Sequence, residues 1–112
     1  MKQYLTRAQM RELAEIGFNT RQLATHECTE GGITYFSLSI GDLIEMLPPR
    51  MKGRRTWTTY GLDIYAQADN KMWLVGYGYS HVYAPSPTRY SSDELIDALF
   101  NLVVCLKKEG KI

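Results

Sequence analysis

Four cations, Arg50, Lys52, Arg54 and Arg55, fall within six residues and are followed at once by Trp57 and Tyr60. Lysine and arginine neutralise phosphates while an aromatic ring stacks on a base. The stretch is therefore a candidate nucleic-acid contact, with Trp57 as its stacking ring. The competing account is a solvated loop whose charges keep a strand edge soluble. A second constellation is Tyr77, Tyr79, His81 and Tyr83. On one uninterrupted strand these alternate residues share a face. Tyrosine offers a large ring with a polar end, so the row is a candidate partner-binding face. The alternative is the same row packed under helices, and strand residues in cores are commonly aromatic.

Other reactive residues form no comparable pattern. His26 and Cys28 have metal-ligand spacing, but only His81 and Cys105 remain to complete a set, and structural zinc needs four ligands. Cys28 beside His26 or His81 has the types of a thiol and its base without a motif that fixes their geometry. Asp63 stands alone in its β region, and a single acid makes no acid–base pair. Gly76-x-Gly78 lacks the third glycine and the following helix of a dinucleotide loop. No catalytic residue, metal ligand or cofactor is assigned on these grounds, and the chain reads as a non-enzyme.

The totals bound the classes further. The 112 residues suit one domain, and 45% hydrophobic with 22% charged residues is the balance of a chain that folds on its own core. A net charge of +1 exerts no overall pull toward nucleic acid or membrane, so any such affinity must be local. Two cysteines and a polar N-terminus, Met1-Lys-Gln-Tyr-Leu-Thr-Arg7, point to a cytoplasmic chain with free thiols. The longest apolar run, Leu102 to Leu106, is far short of a bilayer span.

The elements that must position these residues are well signalled. Thr6 and Gln9 have the spacing of a capping box, Leu5 and Met10 that of a staple, and Gly17 supplies a stop onto which Phe18 folds back. A short further turn runs from Asn19 to Leu23. Two β-like runs, Ala24–Thr29 and Ile33–Leu38, flank Gly31-Gly32, the mark of a tight hairpin. Ser39 caps a brief helix, Ile40–Leu47, that Pro48-Pro49 halts. Long strands are expected over Trp57–Gln67 and Met72–Tyr83, with Gly76 and Gly78 marking a bulge or the close approach of another element. Ser91 and Glu94 again have capping-box spacing, Tyr90 and Leu95 that of a staple, and Gly110 ends the helix they announce. Asp97, Asn101 and Lys108 make its one polar stripe, so the helix is buried on several sides and forms the central pillar. The expected fold is α+β: a small antiparallel sheet of two hairpins, about four strands, with two longer helices and one short helix packed mainly on one face.

Two segments carry a resemblance. Ser39-Ile-Gly-Asp-Leu-Ile-Glu-Met-Leu-Pro-Pro49, and the closing helix Asp93 to Gly110, resemble segments of short uncharacterised proteins from gut-bacterial (Bacteroides-type) phages and mobile elements. In those proteins a Trp-containing strand like Met72-Trp-Leu-Val-Gly-Tyr77 tends to lie between the two. The resemblance covers roughly residues 38 to 112. It implies a bacterial or phage setting and an accessory role, and it transfers no site residue. The expected function is a non-enzymatic accessory protein that works through protein–protein contacts, with self-pairing through the closing helix or a sheet edge as the simplest partner arrangement. The alternative is nucleic-acid binding through Arg50, Lys52, Arg54, Arg55 and Trp57.

Overall fold

Thr6 opens the first helix in the expected way. The Gln9 N–H donates to Thr6 Oγ1 (3.2 Å) and the Thr6 N–H donates to Gln9 Oε1 (2.9 Å), which satisfies two of the donors a helix start leaves open. The helix, α1, spans Arg7–Glu15 in the computed structural model, which describes residues 1–52, 59–79, 82–83 and 89–112. A Schellman motif closes it: the Phe18 N–H donates to the Leu13 carbonyl (3.1 Å) and the Gly17 N–H to that of Ala14 (3.2 Å). Gly17 sits at φ 111°, a conformation L side chains rarely adopt, while an added Cβ would meet Lys107 Cε at an ordinary 3.5 Å. Gly17→Ala is therefore expected to cost about 1–2 kcal/mol through backbone strain rather than crowding, read as a lower urea midpoint with an unchanged slope.

After α2 (Thr20–Leu23) come β1 (His26–Glu30) and β2 (Ile33–Ser37), joined by Gly31 and Gly32 at φ 58° and 78°. Two successive positive φ angles make the tight turn whose twist suits a hairpin. α3 (Ile40–Met46) begins with a second reciprocal box between Ser39 and Asp42. β3 (Arg50–Lys52), β4 (Thr59–Ala66), β5 (Trp73–Tyr79), β6 (Val82–Tyr83) and β7 (Tyr90–Ser92) follow, and α4 (Leu95–Lys108) closes the chain.

The α+β class expected from the sequence holds, and its details differ in three ways. The two hairpins do not join: β1 and β2 form their own ribbon, and β3 to β7 form a separate antiparallel sheet. The long strand expected over Met72–Tyr83 stops at Tyr79. β6 instead pairs antiparallel with it, with Tyr79 facing Val82 and Gly78 facing Tyr83. Farther down β5 the partner is β7, with Val75 facing Tyr90 and Trp73 facing Ser92. An added Cβ on Gly76 would stand 2.9 Å from Arg89 Cγ, so the close approach anticipated at this glycine is made by Arg89.

Finally, the capping box expected at Ser91 does not form. Residues 90–92 give their backbone to the β5 ladder, so α4 starts only at Leu95, with Glu94 as an N-cap that makes no side-chain cap. Ser92 Oγ accepts from the Glu94 N–H instead (3.2 Å). The far end behaves as anticipated: Gly110 at φ 74° and the Lys111 N–H bonded to the Leu106 carbonyl (2.9 Å) complete another Schellman motif.

α4 is the pillar of the core. Leu95, Ile96, Ala98, Leu99, Phe100, Leu102, Val103, Val104 and Leu106 are all buried, while Asn101 and Lys108 stay exposed. It packs against β5 and β7 on one side and α3 on another. α1 is tied to it at both ends: Gln9 Nε2 donates to Asp97 Oδ1 (2.7 Å), and Lys107 Nζ lies 4.9 Å from the centre of the Phe18 ring. The apolar residues of α4 are thus buried within one chain.

Candidate functional site

Arg50 and Lys52 do not lie in a loop, as the sequence suggested, but on the edge strand β3. Arg50 faces Gly61 and Lys52 faces Thr59 across the ladder to β4. Both cations are exposed and alternate with half-buried Met51, so the strand period presents them together to solvent. An added Cβ on Gly61 would meet nothing within 4 Å, so the floor beside Arg50 is bare backbone. The same outer side of β4 carries the exposed Asp63, whose charge opposes theirs. Arg54, Arg55 and Trp57 lie outside the described residues.

The tyrosine row is divided, because β6 pairs antiparallel with β5 instead of continuing it. Tyr77 is fully buried, and its O–H donates to the Pro48 carbonyl (2.7 Å), so for this ring the packed alternative holds and the partner-face expectation is corrected. Tyr83 takes the register position of Gly78, not a further step along the Tyr77 row. His81 lies outside the described residues, as do the side chains of Tyr79 and Tyr83. Burial pushes the Tyr77 hydroxyl up from 10.0 to about 12. The folded chain thus holds this proton more tightly than the unfolded one. The resulting stabilisation is complete below pH 10 and is lost as pH rises toward 12. Tyrosinate absorbance is expected to show a late-titrating class that Tyr77→Phe removes in part. Another member is Tyr90, pushed up to about 12 by its hydrogen bond with Cys105 and then by burial.

The remaining reactive groups are dispersed. His26 Nε2 lies 3.3 Å from Asp42 Oδ2, the oxygen that already accepts from the Ser39 N–H, and its ring sits 5.2 Å from that of Tyr4. Cys28 faces Tyr35 on the ribbon, whereas Cys105 is on α4; both thiols are free. Among the described residues no three His, Cys, Asp or Glu side chains gather as a metal site.

Sequence reasoning missed the surface that the ribbon leaves open. One ribbon face is bound down, since Tyr35 Oη and Ser37 Oγ both donate to the Leu5 carbonyl (2.9 and 2.8 Å). Phe36 alternates with them and is 59% exposed; Ile33 at the turn is 48% exposed and Leu23 on α2 38%. Phe36 walls an open cleft of about 370 Å³ floored by Met10, Ala14 and Ala24 and bordered by Thr20, Arg11 and Arg21. On the other flank of α2, Leu23 and Met46 line a second cleft of about 250 Å³. The signal was present in Tyr35-Phe36: adjacent large rings on a two-stranded ribbon occupy opposite faces, and one body covers only one of them.

Among the described residues no helix is long and apolar enough to cross a membrane. No protein-family model, curated protein or solved structure matches the chain.

Proposed function

We propose that this protein is a binding module that acts through contacts with another protein, and that the β1–β2 ribbon with α2 is its contact surface. One observation carries this: Phe36 is 59% exposed on a rigidly anchored ribbon, beside an open cleft with an apolar floor. Isolated exposed apolar residues are ordinary, but a large ring at the mouth of a preformed cleft is the form that interface anchors take. Phage- or mobile-element-type accessory work is the setting we attach to this role, on the resemblance of residues 38–112 alone. Self-pairing by the β3 edge is the form in which the partner is a second copy; a solution mass of only 12.8 kDa at micromolar concentration counts against it.

The test is a photo-crosslinking side chain placed at Phe36, with a matched one at exposed Lys108 as control. A discrete adduct formed from position 36 in the producing cell, and absent from position 108, is the expected result. No adduct at 36, or the same ladder from both positions, would overturn the assignment.

A second reading rests on Arg50 and Lys52 standing together on an exposed edge strand. It makes the β3–β4 hairpin a nucleic-acid contact. Four phosphate contacts give binding that weakens with salt at a log–log slope of about −3 to −4. Absence of binding to random DNA at low salt removes this reading.

A further inference from the structure

We infer that the cleft between α1, α2 and β2 takes an acidic segment of a partner protein, with a bulky apolar side chain seated on Phe36 and carboxylates held by Arg11 and Arg21. This rests on the protein-binding reading and adds the partner's chemistry to it.

The charged lining has one sign. Arg11 on α1 and Arg21 on α2 are the charged residues that border the cleft, both are exposed, and neither has a carboxylate partner among the described residues. What sets these two arginines apart is their place, since both border an apolar floor with no acidic residue in the lining. Glu27, which faces Phe36 on β1, pairs with neither arginine. Guanidinium groups are weakly hydrated, bind carboxylates through a planar fork and stack on rings, so they are suited to an interface rim.

Size and access narrow the occupant. A volume of about 370 Å³ accommodates one or two large side chains, and the cleft opens broadly to solvent. An enclosed site suits a small ligand that is mostly buried, whereas an open one suits a side chain delivered by a surface. The floor is held still, because Met10 and Ala24 are buried in the core that α1 and α4 share. Little ordering is then lost on docking, which favours binding. The arginines set the partner's sign, and Phe36 with Met10 sets its apolar anchor.

The probe is a capped pentapeptide with a central tryptophan flanked by glutamates, compared with the same peptide carrying lysines. Methyl NMR of Met10, Ala14 and Ala24 reads the cleft directly. The glutamate peptide is expected to shift these three methyls. Its affinity should fall on the order of tenfold in Arg11→Gln/Arg21→Gln and on the order of thirtyfold in Phe36→Ala. All the substituted side chains are exposed, and unchanged signals from Leu99 and Leu102 confirm that each variant remains folded. Equal shifts from both peptides, or none from either, overturn the acidic assignment. If the adduct at position 36 still forms, the surface stands and only the partner's chemistry is wrong; if it does not, both proposals fall.

Discussion

Leu99→Ala is expected to lower stability by about 2–5 kcal/mol, a substantial part of what a domain of this size possesses. Leu99 is fully buried at the middle of α4, where the helix meets the sheet on one side and α3 on another. Elements on several sides constrain the hole that truncation leaves, so collapse into it is limited and the cavity cost adds to the lost transfer energy. Urea unfolding measures the change. Asn101→Ala supplies the contrast, because it lies on the same helix with an exposed side chain and should stay within about 0.5 kcal/mol of the parent. Equal effects from the two substitutions would mean that α4 is not the buried pillar described here.

Asp97→Ala is the second large effect, expected at about 1–3 kcal/mol. Asp97 Oδ1 accepts from both Lys2 Nζ and Gln9 Nε2 at 2.7 Å. Gln9 is also the residue whose other amide atom completes the Thr6 capping box, so one carboxylate fixes the terminal strip and the start of α1 together. The same strip is held by the Lys2 N–H on Glu94 Oε2 (2.7 Å) and by the Leu5 N–H on the Leu38 carbonyl (3.1 Å). The ion pair, 32% and 28% exposed, by itself is worth under about 1 kcal/mol, so the larger share comes from Gln9 and the strip it orders. Hydrogen exchange should show this: the Leu5 and Ile40 amides, bonded to Leu38 and Gln3, should exchange faster in Asp97→Ala than in Lys2→Ala. The Tyr35 and Ser37 hydroxyls rest on the Leu5 carbonyl, so loosening the strip also loosens the ribbon that carries Phe36. A loss of partner binding in Asp97→Ala, at a distance from the cleft, would follow from that connection.

The dispersal of the reactive residues has a simple origin. His26 and Asp42 are engaged at the start of α3, Cys105 bonds Tyr90, and Cys28 lies on the ribbon. β1 carries His26 and Cys28, α3 carries Asp42 and α4 carries Cys105, so these groups come from three separate elements. Phe36, Arg11 and Arg21 come from three elements that the fold does bring together, although no motif links them in the chain.

What the sequence determined by itself is local. Thr6 with Gln9, Ser39 as a cap, Gly31-Gly32, and the glycine stops at Gly17 and Gly110 were legible because donor and acceptor lie within a few residues of each other, and the backbone needs that geometry whatever surrounds it. The apolar circumference of residues 95–106 was equally legible as a buried helix. The tertiary structure decided the rest. Ser91 and Glu94 carry the same cap spacing as Thr6 and Gln9, yet β5 takes the backbone of residues 90–92 into its ladder first. The tyrosine row is divided because Val82 pairs back onto Tyr79, a register no residue type announces. Arg50 and Lys52 become strand because β4 offers them partners, and Phe36 stays exposed because Leu5 binds the other ribbon face. Register and exposure depend on partners distant in sequence, and composition at a position carries no record of which partner arrives.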